Sequence, residues 1–77
     1  MELLAYTPGQ VRIRAGQTVR WINRDLVVHT VTAEDRSWGS ELIEQRGVYE
    51  RRFDQPGTFP YFCLPHPTMK GVVIVEP

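Results

Sequence analysis

The feature that most constrains the fold of this chain is a series of short apolar-alternating segments separated by turn residues. Alternation with a period of two is typical of strands that have one buried face. Turn-forming pairs such as Pro8-Gly9 and Pro56-Gly57 interrupt the alternation. The pattern predicts an all-β protein with about seven strands, at residues 3–6, 11–14, 18–23, 27–33, 48–53, 58–63 and 71–76.

Strands this short and this closely spaced favour a small antiparallel sandwich or barrel. With 77 residues, the chain is predicted to form one domain, residues 1–77. A single helical turn is predicted within the irregular segment 33–46, capped by Ser40, running through Leu42 and Ile43 and ending at Gly47. Pro60, inside a predicted strand, favours an edge or a bulge at that position.

The charge balance argues against a nucleic-acid-binding protein, because nine basic and nine acidic side chains leave no net charge. No apolar run approaches the ~20 residues of a membrane span, so none is predicted. No signal peptide is predicted either, which indicates a mature or recombinant fragment or an intracellular chain. The single cysteine excludes an internal disulfide.

The strongest functional signal is the spacing Cys63-x2-His66-x2-Met69, which follows the strand predicted at residues 58–63. Pro65 and Pro67 cannot continue a strand, so the chain must fold back here and bring His66 and Met69 close to the thiol. The other histidine of the chain, His29, lies in another predicted strand. One thiolate, two imidazoles and a weak thioether form the ligand set of a blue-copper site.

Other roles for these residues remain open from the spacing alone. A lone cysteine is more often a buried core residue than a ligand, and methionine often fills gaps in a core. Structural zinc takes four strong ligands from Cys and His, whereas this chain offers three. A nucleophilic Cys-His pair would lack an evident third orienting group.

The chain resembles the cupredoxins, the small type 1 blue-copper proteins, and most of all their amicyanin and plastocyanin branch. The short ligand loop, with proline on both sides of His66, is similar to that of amicyanin. The resemblance covers nearly the whole chain, and its matching elements are Tyr6-x-Pro8, Val11-x-Ile13-x-x-Gly16-x-Thr18-Val19-x-Trp21-x-Asn23, His29-Thr30-Val31, Pro56-Gly57-Thr58-Phe59-x-Tyr61-x-Cys63 and His66-Pro67-x-Met69-x-Gly71-x-Val73-x-Val75.

The resemblance implies one copper ion held by His29, Cys63 and His66 in a near-trigonal plane, with Met69 as the axial ligand. It also implies a Greek-key β-sandwich or barrel, whose N-terminal strand is shortened in this chain. Asn23 and the backbone N–H of Thr30 are expected to surround the site. The expected function is that of a soluble one-electron carrier without enzymatic turnover, in the periplasm or another extracytoplasmic compartment.

Redox partners are expected to dock at the apolar patch around His66, and self-association is expected through an exposed sheet edge. Two alternatives stay open. One is an electron-relay domain excised from a larger copper enzyme, and the other is a copper storage or delivery protein.

Overall fold

The structure, a computed structural model, describes Tyr6 and residues 9–77, and these residues form six strands in two sheets. Apart from Tyr6, the strand predicted at residues 3–6 lies outside the described residues. In the described part of the chain, no helix is long and apolar enough to cross a membrane. The strands are β1 (Gln10–Arg14), β2 (Gln17–Ile22), β3 (Thr32–Ala33), β4 (Val48–Phe53), β5 (Gly57–Phe62) and β6 (Lys70–Glu76).

The larger sheet has the strand order β1-β6-β5-β3, and the smaller sheet pairs β2 with β4. The all-β prediction is confirmed, but its purely antiparallel character is wrong in one place, because β1 and β6 run parallel. These two strands come from opposite ends of the chain. A parallel pair requires a long crossover connection, and here that connection includes the whole smaller sheet.

The core lies between the two sheets and is dominated by aromatic rings. Tyr61 and Trp21 meet edge to face, with ring centroids 5.4 Å apart, and Trp38 packs on Phe53 at the same distance. Within β6, Val73 and Val75 are buried and Val72 and Ile74 are partly buried, as expected for a strand that is apolar at every position.

Two predicted elements are corrected by the structure. Of the strand predicted at residues 27–33, only Thr32 and Ala33 form a strand, while His29 makes an isolated bridge to Ile43. The chain before His29 is instead looped, because the Asn23 side chain donates to the Val27 carbonyl at 2.9 Å and accepts from the Asp25 N–H at 2.8 Å. Such side-chain bonds to the backbone compete with strand pairing.

The helical turn predicted from Ser40 to Ile43 is also wrong. Ser40 pairs with Val31, since its N–H donates to the Val31 carbonyl and its hydroxyl accepts from the Val31 N–H. Ile43 exchanges backbone hydrogen bonds with His29 at 2.7 and 3.1 Å. These long-range partners take the backbone groups that a helical turn would use, so the segment is extended.

Pro60 lies inside β5, yet its position is effectively an edge. Its carbonyl accepts from the N–H of Glu34, just beyond the end of the two-residue strand β3. The N–H and C=O groups of one strand residue point to the same side of the strand. An N–H at Pro60 would therefore face Glu34, beyond the end of β3, so its absence costs no hydrogen bond between strands.

Candidate metal centre

The loop after β5 folds back on itself through three backbone hydrogen bonds. The N–H of His66 donates to the Cys63 carbonyl at 3.2 Å, and the N–H of Met69 donates to the His66 carbonyl at 2.9 Å. The N–H of Cys63 donates to the Met69 carbonyl at 3.0 Å and closes the loop. The predicted return of the chain toward the thiol is therefore present.

Three donor atoms converge at the base of this loop. The Cys63 sulfur lies 3.5 Å from His29 Nδ1 and 3.7 Å from His66 Nδ1, and all three atoms lie within 4.8 Å of one another. His29 and Cys63 are fully buried, whereas His66 is partly exposed. The arrangement can hold one metal ion away from bulk water, with an imidazole edge as its contact with the surface.

Met69 lies at the end of the same loop, with its side chain 2% exposed. Its amide and carbonyl bond to His66 and Cys63 respectively, so its Cα is fixed next to both residues. Its assignment as the axial ligand stays a prediction.

Thr30 supports the thiol from the opposite side of the site. Its N–H donates to the Cys63 sulfur at 3.4 Å, and its hydroxyl accepts from the Leu64 N–H at 2.9 Å. Asn23, fully buried, donates from its carboxamide to the carbonyls of Val27 and Ile43. These bonds fix the segments on either side of His29, and such support around a metal site tunes its affinity and potential.

Asp25 contacts the candidate site, and the sequence analysis did not identify it. Its Oδ2 lies 2.9 Å from His29 Nε2, the ring nitrogen that faces away from the sulfur. If Nδ1 were to bind a metal, Nε2 would keep the ring proton and donate a hydrogen bond to this carboxylate, which would fix the ring orientation. No periodicity of the sequence signals this contact, because Asp25 lies in the loop before His29 and not in a regular element.

Two buried tyrosines form the floor of the site. The Tyr6 hydroxyl donates to the Thr30 carbonyl at 2.5 Å, and its ring meets Tyr61 edge to face at 4.7 Å. Burial, and after it the nearby charges of Cys63 and Tyr61, raises the pKa of Tyr6 far above its ordinary value. Burial also raises the pKa of Tyr61. Both phenols therefore stay neutral beside Cys63 at any physiological pH.

A two-sheet β structure that holds Cys63, His29 and His66 in this geometry belongs to the class of small copper-binding β proteins. The family model for copper binding proteins of the plastocyanin/azurin family matches residues 1–76. The chain belongs to this family.

Known relatives agree with this assignment. Amicyanin from Paracoccus versutus is 35% identical over 81 residues, which cover 99% of this chain and 61% of that protein. Plastocyanin from Scenedesmus fuscus is 34% identical over 86 residues, covering 95% and 88% respectively. A Cu(I) form of an amicyanin variant superposes with a TM-score of 0.87 at 32% identity, covering 94% of this chain and 73% of that one. The chain spans 60–61% of the length of the amicyanins it matches.

Proposed function

We propose that this chain is a soluble one-electron carrier, acting as a single domain, with a type 1 copper ion held by His29, Cys63, His66 and Met69. The observation that carries the proposal is the buried thiol of Cys63 with an imidazole nitrogen of each histidine within 3.7 Å. Thiolate, two imidazoles and a weak axial thioether are the donor set of blue-copper electron-transfer sites. The donor chemistry of the described residues thus fits the metal of the family.

When bound, copper supplies a one-electron couple between Cu(I) and Cu(II). The protein supplies a fixed set of ligands, because backbone bonds close the loop of Cys63, His66 and Met69 and Asp25 orients the ring of His29. Ligands that hold one geometry in both oxidation states keep the reorganisation on electron transfer small. The partly exposed ring of His66 provides the short route to the surface.

The test is a visible absorption spectrum after Cu(II) is added to the metal-free protein. We expect one intense band toward the red end of the spectrum, which a mild reductant such as ascorbate bleaches. Cys63→Ser should bind copper weakly and without the intense colour, since the thiolate produces the charge-transfer band. A colourless copper complex of the unmodified chain, or full colour in Cys63→Ser, would contradict the proposal.

Copper catalysis and copper storage both require ligands that this chain does not offer. A catalytic copper centre or a storage site needs further histidine or cysteine ligands, and the two histidines and single cysteine of this chain all converge on one site. We therefore propose a carrier without substrate turnover. An electron-relay domain of a larger copper enzyme would show the same spectrum but would transfer electrons only when joined to its parent protein.

Redox partners should dock on the apolar patch around the exposed edge of His66. Exposed apolar side chains concentrate on the two segments that lead into the site, with Leu26 and Val27 before His29 and Leu64 after Cys63. Weak redox complexes use small interfaces of this kind. The expected location is the periplasm or another extracytoplasmic compartment, and fractionation of cells that make the protein would test it.

A further inference from the structure

A cavity lies at the end of the protein away from the metal centre, where the turn from β4 to β5 joins the two sheets. It has a volume of about 340 Å³, and its lining residues are Arg51, Arg52, Phe53, Asp54, Gln55 and Phe59. Phe59 lies in β5 four residues before Cys63, so roughly 13 Å of extended strand separates it from the thiol. None of the proposed copper ligands lines this cavity.

Two aromatic rings cover the guanidinium of Arg51. Its central carbon lies 5.1 Å from the ring centroid of Trp38 and 5.4 Å from that of Phe53. The strand period explains the contact with Phe53, because residues two apart in β4 share one face. The rings attract the positive charge of Arg51, but they leave the N–H groups in the plane of the guanidinium without acceptors.

The Arg51 side chain therefore has hydrogen-bonding capacity that the described residues do not use. Its Nε is buried and has no hydrogen-bond partner among them, and none of their salt bridges includes Arg51. A buried donor without an acceptor costs free energy, and the cost is larger when the donor is charged. A ligand that accepts hydrogen bonds from this guanidinium would remove that cost.

The remaining charges of the lining cancel each other. Arg52 Nε lies 2.6 Å from Asp54 Oδ1, and both of these side chains are exposed. Arg51, which is partly buried, thus leaves the cavity with one net positive charge. The rings of Phe53 and Phe59 add an apolar wall beside it.

These features define the chemistry of the ligand. The planar fork of a guanidinium matches the two oxygens of a carboxylate, and an aromatic wall favours a flat apolar body. A dianion such as phosphate would meet the carboxylate of Asp54 in the same lining, whereas a monoanion balances Arg51 alone. The volume also lies within the range of about 300–1,000 Å³ that is typical of small-molecule sites.

We propose that this cavity binds a small organic carboxylate, with its oxygens on Arg51 and its apolar body against Phe53 and Phe59. The site is separate from the copper centre and goes beyond the proposed electron transfer. Binding to the folded chain alone would also stabilise it against unfolding.

The probe for the test is benzoate, and benzamide is its neutral counterpart of similar shape. Each is titrated into the reduced copper protein at constant ionic strength and followed by NMR. Benzoate should shift the Nε–H signal of Arg51 and the amide signals of Phe53, Gln55 and Phe59 to saturation, while the amide signals of residues 63–69 stay in place. Benzamide should bind about tenfold more weakly or less, because it carries no charge for the guanidinium.

Variants of Arg51 test the assignment of the anchor. Arg51→Met should weaken benzoate binding about tenfold or more, and Arg51→Lys should weaken it less, since an ammonium keeps the charge but lacks the fork. The matched control is Arg12→Met, which removes the same charge from an exposed side chain that faces Glu76 in the larger sheet. Saturation-transfer NMR of the benzoate protons compares the variants in dilute solution and needs no signal from Arg51.

Three results would overturn the carboxylate site. They are equal benzoate affinities of the Arg51 variants and Arg12→Met, equal binding of benzamide, and equal shifts with sulfate at the same ionic strength. Shifts centred outside the cavity would overturn it as well. Arg51→Lys and the titrations of the unmodified chain decide the question even if Arg51→Met does not fold. Each of these results leaves the electron-carrier proposal intact, because the visible spectrum with Cu(II) tests that proposal without involving Arg51.

Discussion

At the residue scale, replacing Asp25 tests most directly how a charge outside the ligand set controls the reduction potential and the copper affinity of the site. Its carboxylate bonds the ring of His29 and is largely buried, with 17% of its side chain exposed. Asp25→Asn keeps the shape but removes a negative charge that stabilises Cu(II) over Cu(I). We expect the reduction potential to rise and the copper affinity to fall by about 10- to 100-fold.

Voltammetry of the copper protein would measure the potential, and competition with a chelator would measure the affinity. Asp54→Asn is the matched control, because Asp54 bonds Arg52 on the exposed surface and has no contact with the centre. If Asp25→Asn leaves both quantities at their original values, Asp25 does not position His29.

Met69 should tune the site and not hold the metal. Axial thioethers in blue-copper sites are weak ligands that set the potential. Met69→Leu preserves the volume of a side chain that is 2% exposed, while it removes a donor to Cu(II). We expect this variant to retain copper and to have a higher potential by voltammetry. Loss of the metal, or a lower potential, would contradict the assignment.

At the element scale, the hydrophobic alternation was sufficient for five of the strands but not for the segment that carries His29. Residues 27–33 were predicted to form a strand because most of them are β-branched or apolar, yet the side chains of Val27 and Val28 are exposed. The Asn23 side chain bonds the Val27 carbonyl and the Asp25 N–H, which composition does not reveal. The pairing of His29 with Ile43 is likewise a long-range contact, which no local pattern encodes.

The candidate site was easier to predict than this local structure. The loop from Cys63 to Met69 is short, so chain connectivity alone brings its donors together. His29 comes from a distant segment, and its role followed from the resemblance and from its being the other imidazole of the chain. Asp25 was missed because its function depends on the loop conformation and not on spacing within a regular element.

The contact between Gly71 in β6 and the ring of Tyr61 in β5 gives a prediction about the stability of the protein. A Cβ at Gly71 would lie 2.5 Å from the Tyr61 ring, which is 1% exposed and packs against Trp21 and Tyr6. Because the ring cannot move away, Gly71→Ala should lower the free energy of unfolding by about 1–3 kcal/mol, as overpacking does.

Urea unfolding followed by fluorescence would measure this loss. Gly9→Ala is the control, since its Cβ would meet the nearest atom, the Tyr6 carbonyl oxygen, at an ordinary 3.8 Å. Equal stability of Gly71→Ala and the unmodified chain would mean that β6 and Tyr61 are not packed as described.

At the scale of the whole molecule, the buried phenols couple stability to alkaline pH. The folded protein raises the pKa of Tyr6, whereas the unfolded chain keeps the ordinary value of about 10. The contribution of neutral Tyr6 is therefore fully present below about pH 10 and is lost as the pH rises above it. Tyr6→Phe should lower the free energy of unfolding by about 1 kcal/mol near neutral pH, because the hydrogen bond to the Thr30 carbonyl is lost. At high pH, the variant should lose less stability than the unmodified chain.

Urea unfolding of the reduced copper protein, repeated from about pH 8 to about pH 11, would measure how steeply the free energy of unfolding falls with pH in the unmodified chain and in the variant. Tyr61 also has a raised pKa, so some alkaline loss should remain in the variant. Identical slopes for the two proteins would show that Tyr6 is not the group that titrates on unfolding.

The self-association of whole molecules should depend on the open edge of the smaller sheet. In the described part of the chain, β4 pairs with β2 alone, so its other edge is available to a second copy. Arg51 shares the core-facing side of β4 with Phe53, and its guanidinium carbon lies 5.1 Å from the Trp38 centroid. An inward-pointing charge on an edge strand opposes pairing with another copy, because it would bring like charges together.

We therefore expect weak association that appears only at high concentration, and we expect Arg51→Met to strengthen it by removing this repulsion. The buried Nε of Arg51 has no hydrogen-bond partner, so the apolar replacement also removes an unsatisfied donor. Arg52→Met is the matched control, since Arg52 points outward from the same strand and bonds Asp54. Light scattering over a wide concentration range should show larger assemblies for Arg51→Met than for Arg52→Met. Equal association of the two variants would assign the effect to net charge, and an unchanged monomer in both would place any self-association at another edge.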